Sequence, residues 1–167
     1  MTHKLFSFLM YKLIWLSGVW GSIIGIAFLT PALTVVYAYW AIVNQQKKTI
    51  FMIYLTCIAF IGIVSESVIL NQFAYVFMPN RLLIPTWLMA IWIAFPCMCA
   101  TSLKHPLNHP LLAIGLGAIF GPLAYQGAAS IGSIELINGI YGRGLLSLVW
   151  AIIMFIVHRW LKILRDH

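Results

Sequence analysis

The chain has only three acidic residues, Glu66, Glu135 and Asp166, and Glu66 stands inside a long apolar run as Gly62-Ile63-Val64-Ser65-Glu66-Ser67. A carboxylate at the centre of a bilayer costs about 2.5–3.5 kcal/mol even on the lenient insertion scale, and less near an interface, so this one is expected to face the protein interior. It lies about 17 residues into its apolar run, or about 25 Å at 1.5 Å per residue, which places it toward the outer surface. The same outer half would hold Ser67, Asn71 and Gln72 of its own segment and Tyr125, Gln126 and Ser130 of another, with Arg81, Glu135 and Arg143 reaching in from loops. A carboxylate with hydroxyls and a nearby guanidinium could bind a polar headgroup or a solute, or move a proton. The packing alternative is a buried carboxylate held by Arg143 or Tyr125. Ser67 and Asn71 are four apart and share a helical face, whereas Glu66 is offset by one, so a regular α-helix cannot aim all three at one spot.

Other reactive types carry less. Lys12 lies well inside the first apolar run, and its stem is long enough to snorkel to the headgroups. His105 and His109 are four apart, but Pro106 and Pro110 argue against a helix there and no carboxylate is near. Cys97 and Cys99, two apart, point to different helix faces, and with Cys57 they read as small apolar side chains. With no glycine-rich phosphate loop, nucleophile elbow or HExxH, the sequence implies no metal and no cofactor, and it assigns no catalytic residue.

The elements that must position Glu66 follow from composition. The 167 residues are 63% hydrophobic and 8% charged, with mean hydropathy +0.99, against roughly 25% charged in soluble domains. Hydrocarbon requires every backbone polar group to be satisfied within the segment, and the long unbroken runs argue for a helical bundle over a barrel. The expected fold is all-α: a single polytopic membrane domain over 1–167 with six short spans at about 5–23, 26–44, 49–70, 83–103, 111–132 and 144–160. Gly18, Gly21, Gly25 and Pro31 split the first run at a very tight turn, and 71–81 is read as a loop. The N-terminus has a basic start but no convincing cleavage site, so it reads as a retained helix.

Six spans place both termini on one side with Lys4, Lys12, Lys47, Lys48, Lys104, Arg159, Lys162 and Arg165, leaving Arg81 and Arg143 opposite. The positive-inside rule makes the basic side cytoplasmic, with Trp20, Trp40, Trp87 and Trp160 near span ends. The net charge of +7 is thereby explained by topology, and without a basic stripe nucleic acid is not an expected partner. The fifth span carries Ala113, Gly117 and Gly121 at four-residue spacing and Ala124, Ala128 and Gly132 on another stripe, which allows close helix packing and predicts a central helix. Pro122 is expected to kink it.

The block Gly121-Pro122-Leu123-Ala124-Tyr125-Gln126-Gly127-Ala128-Ala129-Ser130-Ile131-Gly132 resembles the signature of a family of small bacterial inner-membrane proteins classed as a domain of unknown function. Its pattern is Gly-Pro-Leu-small-Tyr, then Gly-Ala, then Leu-Gly. The resemblance extends to Pro85-Thr86-Trp87-Leu88, to Ile91-Trp92-Ile93-Ala94-Phe95 and to Glu66-Ser67 where the family has Asp-Ser. Where the family tends to carry Asn-His-Ser, this chain has Ala100-Thr101-Ser102. The resemblance implies a multi-pass protein of the bacterial inner membrane, encoded beside lipid-modifying enzymes. The expectation is a non-catalytic protein that binds membrane lipids or supports membrane-bound lipid-modifying enzymes. The alternative is a small transporter or intramembrane enzyme around Glu66, Ser67 and Tyr125, for which six short spans predict a homodimer.

Overall fold

The computed structural model describes residues 2–77 and 84–166. Six principal helices carry the chain: α1 (Thr2–Val19), which the short α2 (Gly21–Ile24) extends, α3 (Leu29–Val43), α4 (Lys48–Ser65), α6 (Thr86–Thr101), α7 (Pro110–Ile131) and α8 (Gly139–Asp166). A π-helical turn (Glu66–Leu70) and the short α5 (Asn71–Phe73) prolong α4. Four stretches are long and apolar enough to cross a membrane: His3–Ile24, Lys48–Phe73, Pro110–Ile131 and Gly139–Asp166. The other two principal helices are apolar but shorter, at 15 and 16 residues. Gly25 makes the tight turn after α2 in the left-handed region (φ +81°), open to a residue without a Cβ.

The stretch read as a loop after residue 70 is structured. Asn71–Phe73 remains helical, and Tyr75–Phe77 forms strand β1, which pairs antiparallel with β2 (Ile134–Leu136) in the register Tyr75↔Leu136, Val76↔Glu135, Phe77↔Ile134. Two side-by-side connections satisfy their backbone groups through each other, and the alternating Tyr-Val-Phe buries its two aromatic rings. The expected all-α fold thus carries a two-stranded ribbon at one end. Arg81 and the Pro79-Asn80 turn lie outside the described residues, as does the expected start of the fourth span at residue 83.

The ends of the bundle are fixed by hydrogen bonds. At one end the Ser102 hydroxyl donates to the Lys4 carbonyl (2.7 Å), Lys47 Nζ to the Leu164 carbonyl (3.4 Å) and Arg165 to the Asn108 side chain. The start of α1, the connection after α3, the connection after α6 and the end of α8 therefore meet there. The ribbon and Asn138, whose amide donates to the Phe73 carbonyl (2.8 Å), form the opposite end.

The small-residue stripe does not make α7 the central helix. That place belongs to α6, twelve of whose sixteen residues are buried and which packs against α1, α3 and α4. The reason is that α7 pairs mainly with α8 and turns Ile119, Phe120 and Leu123 outward. Gly117 and Gly121 serve that pairing: a Cβ at Gly121 would lie 2.3 Å from Trp150 Cγ, and one at Gly117 2.5 Å from the Trp150 carbonyl. Ala128 is buried, while Gly132 instead ends α7 in the left-handed region (φ +93°), donating to the Ala128 carbonyl. The α7 helix runs through Pro122. Trp87, expected at an interface, is buried against Gly18 and Phe77.

Candidate functional site

Glu66 is fully buried and accepts three hydrogen bonds. Tyr75 of β1 donates to Oε2 at 2.5 Å, Trp92 Nε1 of α6 to Oε1 at 3.1 Å, and Tyr125 of α7 also to Oε1. One side chain thus ties the ribbon and two helices to the end of α4. The π-helical turn begins at this residue, and the Asn71 N–H donates to the Glu66 carbonyl five residues back. Such a wide turn rotates the residues after it about the helix axis and is frequent at functional sites. It answers the offset seen in the sequence, since Glu66 and Asn71 are both buried.

The other expected members of the pocket lie elsewhere. Ser67 is half-buried and donates to the Ile63 carbonyl of its own helix (2.8 Å). Gln126 and Ser130 are exposed, and the Ser130 hydroxyl donates to the Gln126 carbonyl (2.9 Å). Arg143 is exposed near the start of α8. Of the two partners considered for a packing role, Tyr125 is the one that holds Glu66.

The partners that sequence reasoning missed are Trp92 and Tyr75. Trp92 is held by more than its hydrogen bond: it stacks on Trp150 with ring centroids 5.0 Å apart and planes at 24°, and Phe95 meets Trp150 edge-on at 5.2 Å. Gly62, one turn before Glu66, has no side chain because the Trp92 indole occupies that space. Tyr75 in turn packs on Tyr125 at 5.2 Å and on Phe77 at 5.3 Å.

These rings line a partly open cavity of about 50 Å³. Nine of its fifteen lining residues are aromatic: Tyr11, Trp15, Tyr75, Phe77, Trp87, Trp92, Phe95, Tyr125 and Trp150. A lining so rich in aromatic rings brings several ring quadrupoles to one space. The ribbon residues Phe77 and Ile134 contribute to the lining. A second space of about 600 Å³ adjoins it, lined on one side by Phe8, Lys12 and Trp15 of α1 and on the other by Leu116, Phe120 and Leu123 of α7. The two share Tyr11, Trp15, Phe95, Ala124 and Trp150, so the groove leads to the aromatic cavity. Lys12 is exposed, and its Nζ lies 5.5 Å from the Phe8 ring centroid, one turn nearer the start of α1.

No group of three or more His, Cys, Asp or Glu side chains is placed to hold a metal among the described residues. His158 is committed to the fold, its Nδ1 lying 2.8 Å from the Leu107 carbonyl.

Four stretches of membrane-crossing length and a buried, triply bonded carboxylate make this a helical protein whose architecture is consistent with a multi-pass membrane protein. The chain belongs to the protein family of unknown function DUF2878, which it matches over residues 4–156. No curated protein and no solved structure matches it.

Proposed function

We propose that the protein is a non-catalytic lipid-binding protein of the bacterial inner membrane that draws a membrane amphiphile sideways into the groove between α1 and α7. The groove itself carries this reading: about 600 Å³ of mainly apolar space between two helices, ending at an aromatic cavity. Ligand sites of roughly 300–1,000 Å³ with apolar walls and few polar groups suit such molecules. Glu66 supports a binding role over acid–base chemistry, because both its oxygens already accept from three anchored donors.

In the membrane, all six principal helices cross, and the end carrying Lys4, Lys47, Lys48, Lys104, Lys162 and Arg165 faces the cytoplasm. The 15- and 16-residue helices span only about 22–24 Å. For α6 this is no obstacle, since its neighbours are protein and not lipid. A periplasm-dependent reporter is therefore expected to be active when inserted at Gly25 and silent when fused after residue 166. Activity at the second position would overturn the orientation.

Occupancy has its own test. Ala124 stands where groove and cavity meet, and Ala124→Trp would fill that junction. The expected result is that wild-type protein purified in mild detergent carries bound lipid in native mass spectra. The variant should lose at least nine-tenths of it while its melting temperature moves by no more than about 3 °C, the change that about 1 kcal/mol produces at this chain length. Equal lipid in both proteins would sink the groove reading.

A further inference from the structure

We infer that the aromatic cavity is a receptor for a small ammonium group, so that the amphiphile taken up by the groove carries a primary amine at its head. The inference rests on the lipid-binding reading and adds the chemistry of the head. Ammonium groups bind over the faces of Trp and Tyr because the ring quadrupole presents negative charge there, and the attraction grows when water is excluded. Trp15, Tyr75 and Tyr125 supply such rings, while Trp92 and Trp150 stack on each other within the same wall.

A carboxylate stands directly behind this wall. The Tyr75 and Tyr125 hydroxyls and the Trp92 indole N–H that donate to Glu66 belong to rings lining the cavity. Each phenol oxygen keeps lone pairs while its hydroxyl donates to Glu66, so it can accept from an ammonium N–H and bridge it to the carboxylate. A purely apolar ligand would need none of this, and an anionic head would meet two phenol oxygens and a carboxylate against one unpaired buried donor of the lining, the Trp150 Nε1–H. Size sets the rest: about 50 Å³ is well under the roughly 150 Å³ known to admit benzene, which suits a single –NH₃⁺. Lys12 lies farther along the groove, with its Nζ over Phe8 toward the start of α1, beside the tail and away from the head.

The test uses the full chain in nonionic detergent micelles and two twelve-carbon probes, dodecylammonium and dodecyl sulfate, followed by tryptophan fluorescence. Wild-type protein is expected to bind dodecylammonium at least about tenfold more tightly than the sulfate, the scale of a desolvated cation–π contact. Glu66→Gln should erase that preference and keep the fold. Its amide oxygen can still accept from Trp92 and Tyr125, and its NH₂ can donate to a reversed Tyr75 hydroxyl. Should Glu66→Gln not fold, Tyr75→Phe removes one of the two phenol acceptors and should cut the preference at least about threefold. Equal binding of both probes would overturn the ammonium site and leave the groove reading intact. Preference for the sulfate, abolished by Lys12→Met, would overturn it in favour of an anionic head. Binding of neither probe would count against the groove as well.

Discussion

Gly62→Leu is expected to leave no folded protein in detergent extracts, and even Gly62→Ala should lower the melting temperature by about 6–12 °C. A Cβ built at this glycine lies 2.0 Å from Trp92 Cε3 and 2.2 Å from Cδ2, well inside any real contact. The ring has nowhere to retreat. It is 1% exposed, hydrogen-bonded to Glu66 on one edge and stacked on Trp150 across its face. Overpacking usually costs about 1–3 kcal/mol. With the clash against an anchored ring the upper end applies, and about 3 kcal/mol at this chain length gives the stated shift. Gly115 is the control, because a Cβ there meets nothing. Gly115→Ala should leave the melting temperature unchanged or slightly raised, since alanine favours a helix by about 1 kcal/mol over glycine. A Gly62→Ala protein as stable as wild type would show that Trp92 is not held as described.

Glu66→Leu is expected to be the most damaging exchange at the site, and the reason is the partners it abandons. Removing the acceptor leaves the Tyr75 hydroxyl, the Tyr125 hydroxyl and the Trp92 N–H in apolar surroundings. Each orphaned buried donor costs about 1–3 kcal/mol, together about 3–9 kcal/mol, which is comparable to the whole stability of many domains. The folded yield should fall at least tenfold. Adding Tyr75→Phe to Glu66→Leu deletes one stranded donor and should restore part of the loss, although Tyr75→Phe alone is expected to destabilise. That reversal of sign is the check, read as a double-mutant cycle in thermal melts. Strict additivity would mean that Glu66 and Tyr75 do not depend on each other.

Hydropathy made the helices visible, because runs of this length and apolarity have few other uses. It could not rank them by burial. Leu123 and Phe120 of α7 look as apolar as Ile91 and Phe95 of α6, yet the first pair faces outward and the second is enclosed. The small-residue spacing in α7 pointed to close packing, and Gly117 and Gly121 do press against α8, but spacing alone does not say how many neighbours a helix has. Glu66 stood out as the rare carboxylate in an apolar run, with Tyr125 as one expected partner. Trp92 was hidden in a segment where a tryptophan resembles any other apolar residue. Tyr75 was hidden by a stretch that read as loop. The π-helical turn had no sequence signature and is what allows Glu66 and Asn71 both to be buried.

The order in which the chain is made gives the three bonds to Glu66 a direction in time. Tyr75 comes after the carboxylate by 9 residues, Trp92 by 26 and Tyr125 by 59. A chain emerging N-terminus first therefore brings Glu66 to the bilayer before Trp92 and Tyr125 arrive there. The strand that pairs with β1 is later still, beginning at Ile134. When the first four principal helices are in place the acceptor still lacks one donor, and α7, the fifth, supplies it with Tyr125. Assembly of this bundle is thus checked near its end, when Tyr125 arrives.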